Sequence, residues 1–163
     1  MSDYEILAID PGTSQSGYCF YRGGTVLASG VSPNDEILEL IMEHGPNASI
    51  NPTLAIEMVA SYGMAVGEET FRTVWWAGRF AQMWLPLALV EVYRSQVKTE
   101  ICKSQKANDS NIRQAIIDRY GGKDTAIGKK ATPGPLYGVK SHAWAALAVA
   151  ITADARLKTQ GKP

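Results

Sequence analysis

Apolar positions recur along this chain in two rhythms, one of strands and one of helices. Residues 4–9, 17–21 and 25–29 are short runs rich in strand-forming side chains and predict three consecutive strands. Arg22-Gly23-Gly24 between the second and third marks a tight hairpin, because glycine supplies the positive φ that such turns need. The rhythm then lengthens. Ile37, Leu38, Leu40, Ile41 and Met42 form the broad apolar side of a helix over 35–43, capped by Asn34 and stopped by His44-Gly45-Pro46. His44 reads as a helix C-terminal residue without chemistry. Residues 53–58 predict a fourth strand and 68–84 a long helix carrying Phe71, Val74, Trp75, Gly78, Phe80 and Trp84, stopped near Pro86. A fifth strand over 87–93 precedes helices over 95–103 and 109–120, joined by a polar stretch. Residues 121–138, rich in Gly, Pro and Lys, read as a mobile basic loop, and Ser141 as the cap of a final helix over 142–157.

Three adjacent strands followed by strands alternating with helices predict an α/β fold, a five-stranded mixed sheet flanked by helices. Residues 1–157 are expected to form a single domain and 158–163 a flexible tail. At 163 residues such a domain buries about two thirds of its unfolded surface. No apolar run approaches the ~20 residues of a membrane span, and Met1-Ser2-Asp3-Tyr4-Glu5 lacks the basic start of a secretory signal. The expectation is a soluble, cytoplasmic protein. Cys19 and Cys102 lie far apart among apolar residues, which predicts buried free thiols.

Charge changes the picture. Residues 1–69 hold ten acids and one base, whereas 70–163 hold fifteen bases and six acids, a swing from −9 to +9 that the net charge of zero conceals. A basic half suits a polyanion, and an acidic cluster beside it suits a metal-dependent enzyme acting on that polyanion. The alternative is that the halves neutralise each other across a fold or dimer interface.

Two acids occupy positions that burial makes costly. Asp10 ends the first apolar run and is followed by Pro11-Gly12-Thr13-Ser14, so a strand holds the acid still while small residues let a phosphate or metal approach. Taken alone, Asp-Pro-Gly is also an ordinary turn signal. Glu57 interrupts the run Leu54, Ala55, Ile56 and Met58.

Order and spacing then point further. Ala8-Ile9-Asp10-Pro11-Gly12-Thr13-Ser14-Gln15-Ser16-Gly17 resembles the opening of the RuvC family of Holliday-junction resolvases, nucleases of the ribonuclease H-like fold. Leu54-Ala55-Ile56-Glu57 resembles its second acidic strand, Tyr93-Arg94-Ser95-Gln96-Val97-Lys98 and Lys106-Ala107-Asn108-Asp109-Ser110-Asn111-Ile112-Arg113-Gln114 its strand-to-helix region, and His142-Ala143-Trp144-Ala145-Ala146-Leu147 its final helix. The likeness spans nearly the whole chain. Ile56-Glu57-Met58-Val59-Ala60-Ser61-Tyr62-Gly63-Met64 is similar to RuvC-like proteins of bacteriophages.

The resemblance implies a homodimeric, metal-dependent endonuclease of recombination and repair that cuts branched DNA, especially four-way junctions, leaving 5′ phosphates. It assigns Asp10, Glu57 and His142 to catalysis and metal binding, with two Mg²⁺ ions per site about 3.5 to 4 Å apart. Mn²⁺ is the alternative, because imidazole suits it better. The cell compartment implied is the cytoplasm of a bacterium or of a phage-infected host. One helical turn beyond His142 the family carries an Asp, and this chain has Ala145. Either the site works without that acid, or Asp109, Asp118 or Glu69 replaces it, or the protein binds junctions and cuts them weakly or not at all.

For DNA contacts, Lys98, Lys103, Lys106, Arg113, Lys123, Lys129, Lys130 and Lys140 are the expected cations, Tyr62 a stacking residue, and the backbone amides around Ser141 and His142 a phosphate site. Trp75, Trp76, Phe80 and Trp84 recur at helical spacing and read as core or dimer interface. Asp10-Pro11-Gly12-Thr13-Ser14 also resembles the first phosphate loop of the actin and sugar-kinase ATP-binding fold. Proteins of that kind close two such domains around the nucleotide, and this length supplies one.

Overall fold

In the computed structural model, which describes residues 4–47 and 51–161, the first apolar run forms β1 (Glu5–Asp10) and divides its side chains between two hydrophobic layers. Ile6 and Ala8 enter one layer, Leu7 and Ile9 the other, as the two-residue period of a strand requires. β2 (Gln15–Arg22) and β3 (Thr25–Pro33) continue antiparallel from it. Gly23 and Gly24 turn the hairpin between them with φ of 53° and 92°, both positive as the tight turn demands.

The chain then builds α1 (Asn34–Asn47), β4 (Pro52–Met58), α2 (Glu68–Trp84) and β5 (Ala88–Tyr93). β4 lies parallel to β1 and β5 parallel to β4, which completes a five-stranded mixed sheet in the order β3-β2-β1-β4-β5. The expected α/β architecture is present. On one face, Ile37 and Ile41 of α1 and Ala77, Phe80 and Trp84 of α2 pack on Leu7, Ile9, Leu54 and Ile56. Each such fully buried aliphatic side chain contributes about 1.5–3 kcal/mol.

The other face is covered by α3 (Arg94–Cys102), α4 (Asp109–Arg119), the short α5 (Lys123–Ala126) and α6 (Ala143–Gln160). Ala8 and Ala55 on the sheet and Ala143, Ala146, Ala150 and Ala153 on α6 are wholly buried in one shared core. Small side chains on both surfaces let α6 lie close to the strands, and that closeness brings its cap residue, His142, to the acids.

Four expectations change. α1 does not stop at Glu43: it runs on to Asn47, and the buried Gly45 serves packing, since a Cβ there would stand 3.2 Å from the Trp84 ring. His44 still lies in the last turn of the helix, its ring centroid 4.6 Å from that of Phe20 and its Nε2 3.0 Å from Glu5. Residues 121–138 are not a mobile loop. They form α5 and a small hairpin, β6 (Gly128–Lys129) and β7 (Thr132–Pro133), with Ala126 and Leu136 wholly buried. Gly134 there permits close backbone approach, as a Cβ would lie 2.2 Å from the Thr125 carbonyl oxygen. Ser141 does not cap α6 but takes a left-handed turn (φ 48°), leaving His142 at the cap position without a side-chain cap bond. The helix then continues to Gln160 and takes in residues 158–160 of the expected tail, while residues 162–163, like the N-terminal 1–3, lie outside the described residues.

Cys19 is buried and Cys102 half-buried, both free. Among the described residues no helix is long and apolar enough to cross a membrane.

Candidate active site

Strand register creates the site. β1 and β4 are parallel with Ile9 opposite Ile56, so Asp10 and Glu57 come level at the C-terminal ends of neighbouring strands. Asp10 shares the parity of Ile6 and Ala8, and Glu57 that of Ala55, which aims both carboxylates at the α6 side of the sheet. The turn after Asp10 is fixed by a buried polar network. Ser16 Oγ accepts from the Gly12 amide at 3.1 Å and donates to Asn34 Oδ1 at 2.6 Å, and Asn34 Nδ2 donates to the Gly12 carbonyl at 3.0 Å.

His142 arrives from above. Opposite Asp10 in β2 is Gly17, where a Cβ would lie 2.3 Å from the His142 carbonyl oxygen, so only glycine admits the start of α6 here. The consequence is a 3.2 Å contact between His142 Nδ1 and Asp10 Oδ2.

Burial dominates the electrostatics. The Glu57 carboxyl is pushed up to about 7, first by burial and then by the neighbouring Asp10 charge, while Arg94 opposes the rise. Asp10 is raised too, again by burial, with His142, Glu57 and Arg94 pulling the other way. Glu57 Oε2 is buried without a hydrogen-bond partner. A pair of crowded, partly unsatisfied carboxylates is a good seat for a cation, which would relieve their repulsion and supply the missing partner.

Arg94 is the residue that sequence reasoning passed over as part of the site. It opens α3 directly after β5, and its Nη1 lies 3.7 Å from Glu57 Oε1 while its Nη2 pairs with Asp109 at the start of α4. A signal was present: Glu57 pairs with Val92 and Met58 with Tyr93, so a base at position 94 falls beside the end of the strand that carries the acid. Reading it requires the β4–β5 register.

Three clefts meet around these residues. One of about 230 Å³ is lined by Asp10, Glu57, Tyr62, Thr73 and Arg94. A second, about 440 Å³, runs past Asp10, Thr13, Gln15, Glu69 and His142. The third, about 250 Å³, is walled by Arg94, Asp109, Arg113, His142, Trp144 and Ala145.

Solved structures share this architecture, two RuvC structures among them. T. thermophilus RuvC in complex with a Holliday junction substrate is 19% identical, with a TM-score of 0.67 over 95% of this chain and 96% of that one. A second Thermus thermophilus RuvC structure is 20% identical, with a TM-score of 0.65 over 95% and 97%. The chain has the RuvC, ribonuclease H-like fold. No protein-family model matches the chain, and no curated protein matches it.

On this RuvC fold the expected site residues divide. Asp10, Glu57 and His142 are brought together. Among the described residues, however, no three acidic, histidine or cysteine side chains converge tightly enough to hold a metal ion as they stand. Of the possible replacements for the acid absent at Ala145, Glu69 shares the cleft of Asp10 and His142, and Asp109 shares that of Ala145 but is paired with Arg94. Asp118 accepts from Gln114 at 2.9 Å and lines none of the three clefts.

The expected DNA contacts also divide. Tyr62 is 67% exposed at the mouth of the acidic cleft, and Arg113 lies over the Trp144 ring at 4.8 Å beside His142. Lys140 is exposed two residues before His142. Lys98, Lys103 and Lys106 sit on and after α3, outside the clefts, where Lys98 donates to the Gln105 carbonyl and Lys103 to that of Glu100. Lys123, Lys129 and Lys130 are exposed on α5 and the small hairpin. The amides of Ala143 and Trp144 are already bonded to the carbonyls of Lys140 and Ser141, because the left-handed turn at Ser141 folds the chain back on them.

Proposed function

We propose that this protein is a metal-dependent endonuclease that recognises branched DNA, four-way junctions above all, and hydrolyses a phosphodiester to leave a 5′ phosphate and a 3′ hydroxyl. The observation that carries the reading is the pair Asp10 and Glu57, side by side at parallel strand ends with their protons held high, on a RuvC fold. A divalent cation, Mg²⁺ with Mn²⁺ as alternative, supplies Lewis acidity and an activated water when bound.

The chain's own groups divide the remaining work. Asp10 and Glu57 are the carboxylates that would hold the cation. His142, 62% exposed at the side chain, is oriented through Nδ1 by Asp10 and so presents Nε2 to solvent, where it exchanges a proton with the reacting water. Tyr62 offers a face for a base opened at the crossover. Arg113, Lys140 and the lysines of α3, α5 and the hairpin supply phosphate contacts through their summed charge. A four-way junction has approximate two-fold symmetry, and a homodimer would present two such sites to two strands.

The test pairs cleavage with binding. Asp10→Asn and Glu57→Gln are each expected to abolish cutting while junction affinity stays within about threefold of the parent, as base and phosphate contacts remain. Normal cutting by either variant removes the mechanism.

Ala145 motivates a second reading, a junction-binding protein with little or no nuclease activity, since among the described residues the cleft it lines contains no carboxylate except the one paired with Arg94. Ala145→Asp separates the two. Much faster cutting than the parent favours the binder, and equal rates show that Ala145 is no defect.

A further inference from the structure

Among the described residues, Arg94 is the one side chain that lines both the cleft holding Asp10 and Glu57 and the cleft where Ala145 stands in place of an acid. Its guanidinium is held from two sides, by Glu57 at 3.7 Å and by Asp109, and is only 27% exposed. The bond to Asp109 on one side and the facing Glu57 carboxylate on the other restrain the planar fork in a way that a free surface arginine lacks. The remaining Glu57 oxygen is buried and unpartnered, and Asp10 lies beside it. So one side of Glu57 already faces a cation, and the other lacks one.

We infer that the site takes a single divalent cation, on Asp10 and Glu57, and that Arg94 supplies the second positive charge of phosphodiester hydrolysis. The inference rests on the nuclease reading above and departs from the two-ion scheme expected of the sequence. Its charge logic is local. A second divalent ion on the Ala145 side would meet one carboxylate, Asp109, already neutralised, and would stand against the fixed charge of Arg94. Arg94 instead does there what a cation does, donating to a phosphate oxygen as charge develops. In the step itself, the water oxygen bonds to phosphorus and the bond from phosphorus to the 3′ oxygen breaks. The water's proton leaves through His142, and the departing 3′ oxygen takes a proton from solvent. Asp109, which is 85% exposed, is a positioning residue that keeps the guanidinium aimed.

The experiment counts ions. Metal-stripped full-length protein is titrated with Mn²⁺ while the free ion is followed by electron paramagnetic resonance, for the parent, Ala145→Asp and Arg94→Ala, alongside junction cleavage and binding. The parent is expected to take one ion per chain and Ala145→Asp two. Arg94→Ala should cut about 10²–10³-fold more slowly than the parent with junction affinity changed less than about tenfold, and Arg94→Lys, which keeps the charge, should retain more of the rate. Two ions on the parent, or none, overturns the inference, as does Arg94→Ala cutting at the parental rate. The nuclease reading fails separately, through absence of metal-dependent junction cleavage in every variant, and the ion count stands apart from that result.

Discussion

At the residue scale, the carboxylate pair carries a stability cost that can be measured without DNA. Glu57 holds its proton up to about pH 7 when folded, well above an unfolded glutamate, so the folded state binds more protons than the unfolded one between those values. Stability of the metal-free protein therefore falls as pH rises from about 4.5 to 7, and the raised Asp10 adds to the fall. Glu57→Gln removes the buried charge and is expected to stabilise the metal-free protein at pH 8 by roughly 1–3 kcal/mol, read as a higher melting temperature. Added Mn²⁺ should raise the melting temperature of the parent and raise that of Glu57→Gln far less. A variant no more stable than the parent at pH 8 contradicts the crowded-carboxylate account. Asp10 and Glu57 were legible in the sequence because an acid in or at the end of an apolar run has few structural uses. Arg94 was not, and Asp109 was only one of three candidate acids, because their pairing depends on β4–β5 register and on where α4 begins, neither of which periodicity specifies.

At the element scale, the site exists because α6 presses its cap residue, His142, onto β2. Gly17 is the point of closest approach, and a methyl group there would overlap the His142 backbone at 2.3 Å. Gly17→Ala is expected to cost about 1–3 kcal/mol and to shift His142 away from Asp10, seen as a moved imidazole resonance and a lowered melting temperature. An unchanged His142 environment would mean that the helix is placed by other contacts. The sheet and the long helices followed from their periods, since a two-residue and a 3.6-residue repeat are hard to confuse over such lengths. The misread elements are those whose glycines work in packing. Gly45 accommodates Trp84 inside α1, and Gly134 lets the hairpin approach α5, so glycine-rich text there encodes close approach where a breaker or a loop was expected.

At the scale of the whole molecule, α2 leaves an apolar strip uncovered. Phe71, Val74, Trp75 and Met83 are each 44% or more exposed, whereas Phe80 and Trp84 of the same helix are buried, so the aromatic periodicity foreseen in the sequence splits between core and surface. A second copy of the chain is the proposed occupant, in keeping with a two-fold substrate. Phe71→Glu with Trp75→Glu is expected to convert a dimer to a monomer in light scattering behind size exclusion; a parent already monomeric at tens of micromolar removes the dimer. The opposite charges of the two halves of the chain are read directly from the sequence, and under the proposed function an acidic centre would hold a cation beside basic helices that meet a polyanion. The central claim is that these parts act together on branched DNA. Its most direct test is cleavage of an end-labelled four-way junction and a linear duplex of the same sequence, each with Mg²⁺, Mn²⁺ or EDTA, and with Asp10→Asn as control. The account predicts metal-dependent, Asp10-dependent nicks placed symmetrically on the junction and none on the duplex. Equal cutting of both DNAs, or cutting that survives EDTA or the loss of Asp10, contradicts it.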